Sequence, residues 1–409
     1  MFLCRLRMLA LLSFTGCFHV GLPEHFSSGP TLGTAGGLNI AYDNHYSTGL
    51  RASLNSRLPR AVLISPGPAA DDAFSTIGHQ YLFGLIPFTA LYLQHGTESL
   101  LDELATDVLL ENGYQVVAMP AASEGLLLSA LAPAFVLDLK LSALRINGYD
   151  AFFFRMLDLT GILDVRIRSL SHGGIGREIR TPFSESEFRK YAHAPLLANL
   201  LESTLRKHVT TAVAESPSTR AIQFPPAGAS QSVGPDNAPV FALLFPVFEN
   251  PPPVGMGKFL ADSYGYESVL PLTNHALLRI IQRGMEHALS KAQQRFAAFR
   301  GGGDQQTAAL LLAAAVSGMS VIDVQLLSIE AREGPQNAVA LALRITSRSA
   351  SASHEAVCEV VEPQAEHVDG ARIVTLERAA KHVLEAFQGI AENVPGGETR
   401  CSTAMRTGS

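Results

Sequence analysis

Leu126-Leu127-Leu128-Ser129-Ala130, running into Val136-Leu137-Asp138-Leu139, returns later as Leu310-Leu311-Leu312-Ala313-Ala314 running into Val321-Ile322-Asp323-Val324. The leucine triplets are offset by 310 − 126 = 184 positions and the aspartates by 323 − 138 = 185. Each copy reads as a short apolar helix, a turn, and a strand with alternating faces. A spacing this long, found twice, predicts a duplicated domain. A solenoid would stack three or more units of roughly 20–50 residues.

Working outward from the first copy, Tyr81 to Phe88 is an apolar run stopped at Pro87 and predicts a buried first strand. Ala61-Val62-Leu63-Ile64-Ser65 predicts an isolated strand joining it. Ser99 can cap a helix, with Asp102 three residues on. Leu101, Leu104 and Val108 share a face of that helix, and Gly113 ends it. Tyr114 to Met119 returns as a strand. After the leucines come a strand carrying Phe135, Leu137, Leu139 and Leu141 on one face, a hairpin turn at Asn147-Gly148, and a strand Phe152 to Leu159. Thr160-Gly161 predicts a further turn. Leu163, Val165 and Ile167 then alternate with Asp164, Arg166 and Arg168 as a half-exposed strand. An amphipathic helix over 192–214 closes the unit around Leu197, Leu200, Leu201, Leu205 and Val209.

The second copy repeats the order. Phe241 to Pro246 matches Phe83 to Pro87, and a longer helix over His275 to Phe299 matches the one from Ser99. Strands over Ala338 to Ile345 and Ala356 to Val361 and a helix over Thr375 to Ile390 follow the repeated stretch. The departure is a Pro/Gly/Tyr-rich insertion from Asn250 to Leu272, a loop long enough to be functional or a plain excursion. The expected fold class is therefore α+β: two tandem duplicated domains, each a mostly antiparallel sheet backed by helices on one face. They should occupy residues 61–214 and 239–392, with a Pro/Ser/Gly linker over 215–238 and a disordered tail over 393–409.

Composition narrows the partners. The 409 residues are 47% apolar and 17% charged, enough to bury cores in two or three domains. A net charge of −6, without a Lys/Arg run interleaved with aromatics, excludes nucleic acid as an expected partner.

The amino terminus points to export. Arg5 and Arg7 precede the short apolar run Met8 to Gly16, too short to cross a bilayer as a helix. Phe14-Thr15-Gly16-Cys17 resembles the lipobox of bacterial lipoproteins, although Phe14 stands where Leu is usual. Residues 1–16 are expected to leave as a signal peptide, with Cys17 as the lipidated amino terminus and 17–60 as a tether. Leu32 to Gly37 lacks the Gly-Lys-Ser/Thr ending of a phosphate loop and belongs to that tether. The anchored protein would face the periplasm, with the outer membrane favoured. Of four cysteines, Cys4 leaves with the signal, and Cys358 and Cys401 remain to pair or not.

A family resemblance rests on Ala134-Phe135-Val136-Leu137 and on Arg155-Met156-Leu157-Asp158-Leu159-Thr160-Gly161. With the order of elements, they resemble the envelope lipoprotein superfamily of the TolB amino-terminal domain, the curli-secretion lipoprotein and the activators of penicillin-binding proteins. The family Asp before the strand is replaced by Ala134 and Phe135, and the second copy has Arg344-Ile345-Thr346-Ser347 in place of the Thr-Gly turn. The resemblance implies a non-catalytic protein that binds or helps assemble other envelope proteins.

Residues that carry chemistry are sparse. Ser171-His172-Gly173-Gly174-Ile175-Gly176-Arg177-Glu178 follows a strand, and such a Gly-rich turn can hold an anion, but it also reads as a loop before Thr181-Pro182. The 13 histidines show no zinc spacing, and no Gly-x-Ser-x-Gly elbow occurs. Asp138 and Asp323 occupy equivalent places, which does not make them a carboxylate dyad. No catalytic residue, metal or cofactor is expected; the partners are a membrane, through the lipid, and an envelope protein. The competing expectation is a periplasmic ligand-binding protein or an enzyme using the domain interface or the 250–272 insertion.

Overall fold

A computed structural model describes residues 58–65, 74–82, 86–94, 96–151, 154–169, 175–189, 194–214, 222–223, 239–249, 274–332, 337–349, 352–363, 371–389 and 398–404. The first half runs β1 (Arg60–Ser65), β2 (Phe74–Leu82), β3 (Ile86–Gln94), α1 (Gly96–Glu111), β4 (Gln115–Pro120) and α2 (Glu124–Leu131). It continues with β5 (Phe135–Ala151), β6 (Phe154–Arg168), β7 (Ile175–Arg189), α3 (Ala194–Ala214) and β8 (Ile222–Gln223). The second half runs β9 (Val240–Leu243), β10 (Val247–Phe248), α4 (Asn274–Lys291), β11 (Arg295–Gly301) and α5 (Gln305–Ala315). Then come β12 (Met319–Arg332), β13 (Ala338–Arg348), β14 (Ser353–Pro363), α6 (Ala371–Phe387) and β15 (Glu398–Ala404).

All fifteen strands belong to one mixed, mostly antiparallel sheet, whose main path is β15-β14-β13-β12-β9-β11-β4-β1-β5-β6-β7-β8. In each half a short strand lies between two parallel neighbours: β1 between β4 and β5, β9 between β11 and β12. These strands read as unbroken apolar runs, as parallel strands covered on both faces do. The halves meet where β4 and β11 pair antiparallel, Ala298 opposite Ala118 and Phe299 opposite Val117. Outward from this joint both wings are antiparallel, β5-β6-β7 on one side and β12-β13-β14 on the other.

Helices cover both faces of the sheet, not one as the sequence suggested. On one face, α1 and α3 bury Leu104, Val108, Leu205 and Val209 against Leu63, Val116, Leu137 and Leu163. On that face of the other half, α4 and α6 bury Ile281, Met285, Leu376 and Leu384 against Phe296, Ile322, Leu341 and Cys358. The leucine helices α2 and α5 form the opposite layer, where Leu127, Leu128, Ala309 and Leu312 pack on Val62, Val117, Ala242 and Phe299. The central strands are apolar at successive residues, so each face needs its own cover.

Several local expectations fail for identifiable reasons. Tyr81 to Phe88 is not one strand: its ends belong to β2 and β3, which pair at Leu82 and Ile86, and 83–85 lie outside the described residues. The place of the second half's β9 is held in the first half by β1, so Phe241 to Pro246 corresponds to Ala61 to Ser65 and not to Phe83 to Pro87. Asn147-Gly148 makes no turn, because Asn147 is held between Asp158 of β6 and His79 of β2. Thr160-Gly161 lies inside β6, where a Cβ on Gly161 would come within 2.5 Å of the Phe183 ring. Ser171 to Glu178 also reads as a loop before Thr181-Pro182, yet Ile175 to Glu178 opens β7, and Pro182 is tolerated in a strand that among the described residues pairs on one side over that stretch. The helix expected to reach Phe299 ends at Lys291; Gln293 takes a φ of 53° and the chain returns as β11. Residues 398–404, expected in a disordered tail, form β15 on β14.

Candidate functional site

The most unusual chemistry lies where the halves join. On α1 the residues Asp102, Glu103, Thr106 and Asp107 are all buried, as are Arg279, Gln282, Arg283, Glu286 and His287 on α4. Arg279 and Arg300, the latter on β11, are 0% and 1% exposed, which is rare for a guanidinium unless it is fully paired. Arg279 crosses the joint and donates from Nε to Glu103 Oε2 at 3.0 Å and from Nη2 to Glu103 Oε1 at 2.8 Å. Its Nη1 donates to Glu286 Oε1 at 2.8 Å and to Gln282 Oε1 at 3.2 Å. Arg300 donates to Glu286 Oε2 at 2.6 Å and Oε1 at 3.2 Å, and reaches the first half at Thr106 Oγ1, 3.1 Å, and Asp102 Oδ2, 2.5 Å.

Three carboxylates thus surround two guanidiniums. Burial alone would push Glu286 up, but Arg279 and Arg300, by charge and hydrogen bonds, hold it below the ordinary carboxylate range. Asp102 goes the other way: burial raises it, Arg300 opposes, and Glu103 and Glu286 add to the rise. Its Oδ1 is buried and makes no hydrogen bond among the described residues. Other polar links stitch the joint: Gln282 Nε2 donates to the Phe299 carbonyl, Gln115 Nε2 to the Gly302 carbonyl, and the Phe296 N–H to Ser123 Oγ, at 2.8, 3.0 and 3.1 Å. Gly302, with φ +81°, passes so close to β4 that a Cβ there would lie 2.6 Å from the Tyr114 carbonyl oxygen.

The two ends of the sheet differ. At one, β15 covers β14 from Glu355 to Val361, and Cys401 is disulfide-bonded to Cys358 directly opposite. At the other, β8 covers β7 at Ile175 and Gly176 alone, so among the described residues Arg177–Arg189 pairs only with β6. That edge carries Arg177, Glu178, Arg180 and Pro182, residues that deter indiscriminate strand pairing. On the face of α2 and α5, the helices contribute a single charge, Glu124, which pairs with Arg168. Leu126, Leu310 and Leu311 stand 37%, 46% and 60% exposed there.

Of the residues singled out in the sequence, Cys17, His172 and the 250–272 insertion lie outside the described residues. Asp138 and Asp323 hold matching positions on β5 and β12, and β1, β4, β11 and β9 stand between those strands. Five strand spacings of about 4.8 Å separate them by roughly 24 Å, too far for a dyad. Asp138 lies 3.9 Å from Arg166, with its carboxyl pushed up by partial burial against that pull. Among the described residues no group of three or more His, Cys, Asp or Glu side chains is arranged to hold a metal. The joint itself was missed. Its signal is the shared polar spacing 102, 103, 106, 107 and 282, 283, 286, 287, which reads as two solvent faces until β11 is placed.

Comparison with family models, with curated proteins and with solved structures returns no match for this chain.

Proposed function

We propose that this protein is a lipid-anchored, non-catalytic component of the bacterial cell envelope that works by binding other envelope proteins, and that its halves descend from one duplicated unit. Duplication is supported by the order β1-α1-β4-α2-β5-β6-β7-α3 and its return as β9-α4-β11-α5-β12-β13-β14-α6. It is supported further by register: Ala118 and Ala298, 298 − 118 = 180 positions apart, lie opposite each other, as the equivalent residues of two related units would across a two-fold axis. Export is supported by the Cys358–Cys401 disulfide, which suits an oxidising compartment.

The observation that carries the binding role is the contrast between the sheet's ends. One is closed by a cross-linked strand, while β7 presents a long edge able to accept an extended segment of a partner. The exposed leucines of α2 and α5 offer a second surface. The joint, where a ligand-binding protein or enzyme would place its site, is filled by the side chains of Glu103, Arg279, Glu286 and Arg300.

A photo-reactive residue placed at Arg180 or Ser184 of β7 should capture an envelope protein in growing cells, while the same group at Glu359 or Ser402 should not. Equal capture at all four sites, or none at β7, would remove the edge as the binding surface. Labelling with a fatty-acid analogue should mark the wild type and spare Cys17→Ala. Equal labelling would remove the anchor.

A further inference from the structure

We propose that Asp102 holds a proton in the folded protein at neutral pH, which makes the joint between the halves a proton-operated latch, tighter when Asp102 is protonated and looser when it ionises. The assignment rests on how the buried charges are shared out. Glu103 places both oxygens on Arg279. Glu286 places Oε1 on Arg279 and Arg300 and Oε2 on Arg300. Those two carboxylates match the two guanidiniums. Asp102 is the third carboxylate: it meets Arg300 through Oδ2, 2.5 Å away, and leaves Oδ1 buried without a hydrogen bond among the described residues. Arg279 is 4.0 Å from the same Oδ2 and already engaged elsewhere.

A surplus charge in so dry a place is costly, and a carboxyl group there takes up a proton in preference to remaining ionised. The ionisable groups that face Asp102 are Glu103 on its own helix, Arg279 and Glu286 on α4, and Arg300 on β11. Asp107 and His287 are the next along the two helices, and Arg206 of α3 is engaged with Asp107 and Glu111. None of these supplies a third cation to Asp102.

The direction of the linkage follows. Asp102 titrates higher when folded than its ordinary 3.8, so the stability it contributes is complete below that value and is lost as pH rises through the folded value. Glu286 acts in the opposite sense and on the acid side, below its ordinary 4.5, so the two effects occupy different pH windows. Loosening this joint would separate β4 from β11 and with them the two wings, which gives the latch control over the geometry of the whole sheet.

The test uses the full chain. Thermal and chemical unfolding are measured for wild type and Asp102→Asn, an uncharged mimic of the protonated acid, over a pH series from about 5 to about 8. Between the ordinary 3.8 and the folded value of Asp102 the wild-type folding constant should fall relative to Asp102→Asn by up to about tenfold per pH unit, and the difference should level off above the folded value. In parallel, carbon-13 spectra of aspartate carboxyls in an Asp138→Asn background should retain one protonated signal at neutral pH that Asp102→Asn removes. Parallel stability curves, or a wild type whose aspartates all titrate at or below the ordinary value, would overturn the proposal. The spectra decide the matter even if Asp102→Asn folds poorly.

Discussion

Ala298 on β11 lies directly opposite Ala118 on β4, and the two are 0% and 1% exposed. They sit at the middle of the seam, Ala118 in the core beneath α1 and Ala298 in the core beneath α4. Small residues here leave room for the polar side chains that cross between the helices. Enlarging Ala298 to Leu should overpack the seam and destabilise the protein by about 1–3 kcal/mol. Because the two residues touch, Ala118→Leu with Ala298→Leu should be non-additive in equilibrium denaturation.

Gly161 and Phe183 form a second close relationship. The ring of Phe183 occupies the place where a Cβ on residue 161 would stand, 2.5 Å away. Gly161→Val should therefore force the ring out of the core it shares with Leu205 and Val209 and lower stability by about 1–3 kcal/mol. Combining it with Phe183→Leu should recover part of that loss. Urea denaturation of the four proteins in the cycle measures it, and a fully additive result would show that the ring is not the obstacle.

These cases show where the sequence was legible. The leucine helices, the alternation of Leu163, Val165 and Ile167, and the helix ended by Gly113 follow from short-range periodicity, although Ser99, expected to cap that helix, lies inside α1, and the alternating residues continue β6 without a turn before them. What failed depended on partners far along the chain. Asn147-Gly148 is a strong turn signal overruled because β2 and β6 both pair with it. Gly161 reads as a turn residue until Phe183, on another strand, is seen above it. The costliest error was β11: Phe296 and Phe299 extend the apolar spacing of α4, and nothing local announces the turn at Gln293. Without β11 there is no seam, and Arg300 falls just beyond the end of a helix. The ion cluster was therefore invisible although its polar residues were in view.

The Cys358–Cys401 bond joins residues directly opposite on β14 and β15, 43 positions apart in sequence. A loop of that size, when cross-linked, stabilises a protein by about 2–4 kcal/mol, chiefly through the unfolded chain. Cys401→Ser should lose an amount in that range. It should also raise amide exchange along β15 well before the central strands respond, since among the described strands β15 pairs with β14 alone. Uniform exchange through the sheet would mean that β15 is an integral part of the core.

Glu286 is the hub of the buried cluster, a carboxylate that accepts from both Arg279 and Arg300. Glu286→Gln keeps the shape but leaves two buried guanidiniums short of a counter-charge, so it should cost about 3–5 kcal/mol. Its carboxyl is held below the ordinary 4.5 in the folded state. The stability it contributes is therefore present above that value and lost as pH falls through the folded one. Wild type should lose stability on acidification through this range more steeply than Glu286→Gln, and the two curves should converge at the acid end. Replacing Arg279 by Met in the Glu286→Gln background should recover stability, because it removes one of the uncompensated charges together with its need for a partner. Recovery measured by equilibrium denaturation would locate the cost in charge balance. A further loss of the size expected for Arg279→Met alone would locate it in the bridge from Arg279 to Glu103 across the seam.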